Sequence, residues 1–186
     1  MDERIILAAL EEIQIHSLRF HMDDITRRLH MSKTSLYKIV LSKEQLMDAV
    51  MTYLMAHFDI EERKIRAMSG PVRHKVTAFI KLYTEAFKRF DKSVYTDLRV
   101  DYEKSWRRWT RFREQKIDVL MELLQEGIDR KEFRQVNLEV MRQCLLVTSE
   151  ALSSFEFLQH SNLTYSNALE SLGDILFTGI EIKDIP

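Results

Sequence analysis

Apolar residues return every three or four positions along most of the chain, the spacing of an α-helix that buries one side. Ile5, Ile6, Ala9, Leu10 and Ile13 form the first such stripe and predict a helix over residues 3 to 16. Two shorter runs follow. Ile25 and Leu29 lie four apart on the first, which begins near Met22, and Leu36, Ile39 and Val40 give the second, residues 33 to 39, its apolar side. Asp23 and Asp24 suit the positive end of the first run's dipole, His30 is the turn residue, and Ser32 is placed to cap the second. Two short helices joined by a few residues predict a helix-turn-helix, whose second helix can enter a DNA major groove.

The pattern then lengthens. Ser42, Lys43, Glu44 and Gln45 read as a capping box, and Leu46, Val50, Tyr53, Leu54 and His57 continue at helical spacing toward Met68. Ser69, Gly70 and Pro71 stop that helix and start another, residues 72 to 90, with Val76, Phe79, Ile80, Tyr83 and Phe87 inside. A short segment, 93–100, is followed by helices predicted over 104–131, 138–160 and 165–180. Two prolines and four glycines leave little chemistry for β-turns. The reading is all-α, with about nine helices: a three-helix helix-turn-helix domain over residues 1–47 and a second helical domain over 48–186.

Charge sharpens the first domain. Between Arg19 and Lys43 the cations are Arg19, Arg27, Arg28, Lys33, Lys38 and Lys43 against Asp23 and Asp24, a local balance of +4 in a chain of net charge −1. Such a patch neutralises phosphates whatever the base sequence. The single cysteine, Cys144, excludes an internal disulfide and a multi-cysteine zinc site, and its apolar neighbours predict a buried, inert thiol. No apolar run approaches the ~20 residues of a membrane span. The acidic, amphipathic start is unlike a signal peptide, so a soluble cytoplasmic protein is expected. The histidines lack metal-ligand spacing, and no phosphate loop, nucleophile elbow or zinc-protease motif occurs. No cofactor, metal or enzymatic activity is expected.

Two further patterns bear on the second domain. The closing helices carry apolar residues on more than one side, which predicts a second copy of the chain packed on Leu145, Leu152, Phe155, Leu172, Ile175 and Leu176. A helix wholly buried in its own domain is the alternative. The aromatic series Tyr83, Phe87, Tyr95, Tyr102, Trp106, Trp109 and Phe112 reads either as core packing or as the wall of a ligand cavity. Arg107, Arg108, Arg111 and Arg113 read either as a solvated outer face or as attraction for an anion.

The N-terminal run resembles the DNA-binding domain of TetR/AcrR-type bacterial transcriptional regulators. Met22-Asp23-Asp24-Ile25, Met31-Ser32-Lys33, Leu36-Tyr37 and Ser42-Lys43-Glu44-Gln45-Leu46 carry the resemblance. It spans about the first 50 residues. Looser agreement continues at Asp97-Leu98-Arg99, Glu126-Gly127-Ile128, Phe133-Arg134 and the segment from Ile175 to Ile180.

The resemblance implies that the third helix reads an operator in double-stranded DNA. Lys33, Thr34 and Ser35 would face base edges, Tyr37 and Lys43 would contact phosphate, and Lys38 would add to the basic face. It also implies a homodimer through the last two helices and a pocket for an unknown small-molecule inducer, lined by Tyr83, Phe87, Tyr102, Trp106, Trp109, Met121 and Thr148. The expected function is a repressor released from its operator by that inducer.

The chain departs from the family pattern at Ser17 and His30, where glycine is common, at His21 in place of a capping threonine, at Thr26, and at Ile39-Val40. A left-handed His30 costs about 1 kcal/mol relative to glycine, and a lost cap at His21 costs ~1 kcal/mol. The departures at His21, His30 and Val40 motivate an alternative: a dimeric helical ligand-binding or protein-interaction module with a degenerate DNA reader.

Overall fold

The computed structural model describes residues 1–87 and 92–179, apart from the side chains of Phe87, Lys92 and Phe155. Among them are ten α-helices and no strand. The first three, α1 (Glu3–His16), α2 (Met22–Arg28) and α3 (Lys33–Tyr37), form with the start of α4 (Lys43–Arg66) a small N-terminal bundle. Then come α5 (Val72–Phe87), α6 (Lys92–Asp101), α7 (Glu103–Asp129), α8 (Leu138–Leu152), α9 (Phe155–Ser161) and α10 (Tyr165–Thr178).

The N-terminal bundle is closed by Ile5, Ile13, Phe20, Ile25, Leu36, Val40 and Leu46, each at most 1% exposed. The joint between α2 and α3 is set by backbone chemistry. His30 takes the left-handed conformation (φ 50°) expected of it. Its N–H donates to Arg27 O at 3.3 Å, and the Met31 N–H donates to Thr26 O at 3.0 Å. These two bonds are the Schellman pattern, which satisfies carbonyls that a helix end leaves open. Ser32 then caps α3, its Oγ accepting from the Ser35 N–H at 3.0 Å.

At the start of α4 the structure modifies the expected capping box. Ser42 Oγ accepts from the Gln45 N–H at 3.1 Å, but Gln45 Oε1 accepts from the Leu41 N–H at 2.6 Å, one residue before the cap. The helix runs uninterrupted for 24 residues, roughly 36 Å at ~1.5 Å per residue. Its second half packs on α5 and α7, where the Phe58 ring meets Phe79, Tyr83 and Phe112 edge-on at centroid distances of 5.9, 6.0 and 5.3 Å.

Two expectations change in the C-terminal part. The helix predicted over 138–160 is broken by Ser153 and Ser154 into α8 and α9, which adds the tenth helix. Ser153 Oγ donates to Glu150 O at 2.7 Å, and Ser154 Oγ caps α9 by accepting from the Phe157 N–H. Hydroxyls that bond the backbone locally compete with helix continuation. Cys144 is exposed, not buried. It shares the outward side of α8 with Val140 and Val147, which are 58% and 57% exposed.

The end of α7 repeats the Schellman pattern with Lys131 at φ 59°. Lys131 N–H donates to Ile128 O and Glu132 N–H to Gly127 O, each at 2.9 Å. The reversed chain lays the buried Phe133 ring over Gly127, so a Cβ there would meet Phe133 Cδ2 at 2.2 Å. Alanine normally favours a helix interior over glycine by about 1 kcal/mol. Here Gly127→Ala should instead lower the unfolding free energy by about 1–3 kcal/mol through overpacking. Urea titration checks the sign: a more stable variant would mean the ring does not hold this position.

Candidate functional site

The exposed side of α3 is a polar surface on a buried anchor. Leu36 is 0% exposed, whereas Lys33, Thr34, Ser35, Tyr37 and Lys38 face solvent. All five carry groups able to contact DNA, as an α-helix in the major groove requires. Ile39 and Leu41, 43% and 75% exposed, extend the same end of the domain with apolar surface.

Most cations of the basic patch already have partners. Arg28 spans to α1, with Nη1 at 2.6 Å from Glu11 and Nε at 2.6 Å from Glu12. Glu12 is buried, and the bond to it is the main reason the Arg28 pKa lies above its usual value. Lys33 pairs with Asp23 at 2.6 Å across the turn, and Arg27 with Asp24 at 3.0 Å. The Asp24 carboxyl is held below its usual range mainly by the His21 N–H, which donates to it at 2.7 Å. The side chains of Lys33 and Asp23 are 66% and 49% exposed, and pairs this open contribute little and yield readily to a phosphate. Arg19 and Lys38 are exposed with no ion pair among the described residues.

Lys43 differs from the phosphate contact implied by resemblance. Its ammonium donates to the carbonyls of Leu18 and Phe20 and lies 4.2 Å over the Phe20 ring. Partial burial lowers its pKa, against the opposing pull of Asp101, Asp24 and Asp97. In this conformation it ties the start of α4 to the turn after α1.

The main cavity, of about 430 Å³, lies where the two parts of the chain meet. Leu7, Leu10 and Ile13 of α1 form one wall, Met47, Met51 and Phe58 of α4 another, and Leu82, Tyr95, Leu98, Trp109 and Phe112 of α5 to α7 the rest. A smaller hollow of about 60 Å³ lies between α5, α7, α8 and α10, with Tyr83 in its wall. A third, of about 410 Å³, is a groove along α5 and α10. Of the anticipated lining residues, Trp109 borders the main cavity and Tyr83 the small one. Tyr102, Trp106, Met121 and Thr148 border none of the three, and the Phe87 side chain lies outside the described residues. The α1 contribution had no separate sequence signal, because those residues read simply as core.

The arginines of α7 divide. Arg107 pairs with Glu103, Arg108 reaches Asp48 and Thr52 of α4, and Arg111 is exposed. Arg113 is 2% exposed. On the closing helices Ile175 is 71% exposed, Leu152, Leu172 and Leu176 are half-buried, and Leu145 belongs to the chain's own core. The side chain of Phe155 lies outside the described residues. No helix among the described residues is long and apolar enough to cross a membrane, and no described cluster has the make-up of a metal site.

No family model matches the chain. A curated relative, the uncharacterized HTH-type transcriptional regulator YvaF of Bacillus subtilis, is 25% identical over 181 residues, 97% of this chain and 95% of its own length. A transcriptional regulator from Cytophaga hutchinsonii superposes with a TM-score of 0.73 at 19% identity, covering 97% of this chain and 98% of that one. The TetR family transcriptional regulator PfmR of Thermus thermophilus superposes with a TM-score of 0.66 at 15% identity, covering 96% and 100%.

The two roles open to Lys43 separate by stability. Lys43→Met should lower the unfolding free energy by about 1–3 kcal/mol, because two backbone carbonyls lose a charged donor. A variant as stable as the parent by chemical denaturation would mean the ammonium has no structural role.

Proposed function

We propose that this chain, which has the all-α fold of TetR-family transcriptional regulators, is itself a ligand-responsive, DNA-binding transcriptional regulator that acts as a homodimeric repressor. The observation that carries the reading is α3. A capped helix pinned by the fully buried Leu36 presents Lys33, Thr34, Ser35, Tyr37 and Lys38 to solvent. Residues 1–47 are then the reader and residues 48–186 the sensing and dimerising part, with α4 running through both.

The dimer follows from an unpartnered apolar stripe. Val140, Cys144, Val147 and Ala151 recur at helical spacing along exposed α8, and Ile175 is exposed on α10, which packs against α8. A contiguous stripe of this kind on two neighbouring helices marks an interaction surface. A twofold copy would cover it and set two α3 helices at successive major grooves, about 34–36 Å apart. Glu substituted for Val147 should shift the protein toward monomer in sedimentation equilibrium. An unchanged dimer would place the interface elsewhere.

The cavity supplies the switch. Its walls come from α1 of the reader and α4 to α7 of the sensing part, so a molecule inside it presses on both. A ligand that binds the conformation with mismatched reader spacing more tightly releases the DNA. For the DNA contact, gel shifts against the sequence upstream of the protein's own gene, over a salt series, are the test. Tight, selective binding is expected. Lys38→Gln should reduce the slope of log affinity against log salt by roughly 2 per dimer, at ~0.9 per phosphate contact. Only weak, nonselective binding that vanishes with salt would sink the reading.

A further inference from the structure

Arg113 is a buried cation whose donors are mostly unused. Its Nε and Nη1 are buried with no hydrogen-bond partner among the described residues. Its Nη2 is 3.4 Å from Glu150, whose side chain is 61% exposed and therefore a poor counter-charge. A guanidinium removed from water without a well-placed anion is costly, so a buried one in this state points to a missing partner.

The surroundings supply donors, and the carboxylate paired with the guanidinium is the exposed Glu150. The Tyr165 hydroxyl lies beside the Tyr83 hydroxyl and the guanidinium, and the Tyr95 ring meets the Tyr165 ring edge-on at a centroid distance of 4.9 Å. The Tyr95 hydroxyl is buried without a hydrogen-bond partner among the described residues, and the buried Tyr165 hydroxyl has the Tyr83 hydroxyl and the Arg113 guanidinium as its polar neighbours. Burial pushes the Tyr165 pKa up to about 12 and that of Tyr95 well above its usual value. Both phenols therefore stay neutral at neutral pH and can donate, but cannot neutralise Arg113.

The cluster reaches the main cavity through Tyr95, while Arg113 and Tyr165 themselves line none of the three hollows. Tyr95 is part of its wall, as is Phe112, the neighbour of Arg113 in α7. Most of the wall is apolar, including Phe58, Val94, Leu98 and Trp109, with Tyr53, His57 and Glu85 as its other polar members. Charge limits what fits. Lys116, the next cation on this side of α7, is already held by Asp59 and Glu62. Arg113, whose ion-pair partner is the exposed Glu150 at 3.4 Å, is the cation left for a ligand, which suits a monoanion and would leave a phosphate dianion undercompensated.

We propose that Arg113, with the hydroxyls of Tyr95 and Tyr165, holds the carboxylate of a monocarboxylic acid whose apolar body fills the 430 Å³ cavity. This rests on the reading of that cavity as the effector site and names the class of effector. A charged acceptor bonded to guanidinium and phenol donors is the strong form of hydrogen bond, and the apolar remainder matches the wall.

Calorimetric titration of the full-length protein with decanoate, and with decanol as the uncharged counterpart, tests this. Decanoate should bind about ten- to a hundredfold more tightly than decanol, the range of a charge-assisted bond. Arg113→Gln should abolish that preference while leaving decanol affinity within about twofold, and Tyr95→Phe should reduce it in part. Circular dichroism checks that the Arg113 variant folds. If it does not, the acid-to-alcohol ratio of the unaltered protein decides. Equal binding of acid and alcohol, binding of neither, or an acid preference that survives Arg113→Gln would overturn the proposal. Selective operator binding in the absence of any acid preference would overturn it alone and leave the regulator reading standing.

Discussion

Everything in this molecule hangs on one helix serving two bodies. The first turns of α4 close the N-terminal bundle through Leu46 and Val50, which are almost fully buried. Three turns later Phe58 is clasped by rings from α5 and α7. Between these anchors Arg108 of α7 reaches Asp48, and beyond them Lys116 bridges Asp59 and Glu62 while lying 4.8 Å from the Phe112 centroid. A rod fixed at both ends transmits a change in one packing to the other, because close-packed interiors shift as units and do not deform smoothly. The main cavity is walled in part by this rod and in part by α1.

The N-terminal bundle carries less free charge than its composition suggests. Arg28 is committed to Glu11 and Glu12, and Lys43 to two carbonyls, so both serve the fold. Lys33 and Arg27 hold exposed partners that phosphates can displace. Arg19 and Lys38 are available without exchange. On the proposed reading, affinity for DNA draws on fewer fixed cations than the local sum of +4 implies, and the shape of α3 carries correspondingly more of the discrimination. The substitutions that motivate a degenerate reader are accommodated. His30 adopts the left-handed turn and completes a Schellman pattern. At His21 the backbone N–H is still taken up by Asp24.

The N-terminal helices were legible in the sequence because their signals are local. Stripes, caps and the turn residue each lie within a few positions of what they determine, and α1 to α4 follow them. The break between α8 and α9 was hidden because serine is compatible with a helix interior, and its local bonding depends on the packing around it. Cys144 looked buried from its apolar neighbours, yet helical geometry turns it outward with Val140 and Val147. The cavity was least legible. Its α1 wall and the isolation of Arg113 arise from contacts between segments far apart in the chain, and no spacing along one helix announces them. Among four neighbouring arginines on α7, only tertiary packing singles out the one that is buried.

Footprinting of the protein on DNA upstream of its own gene tests the central claim most directly, because it reads the two α3 helices and their spacing together. The account predicts two protected half-sites related by near-twofold symmetry, with centres one helical turn apart, ~34–36 Å. A single unpaired patch, or protection without regard to sequence, would contradict it.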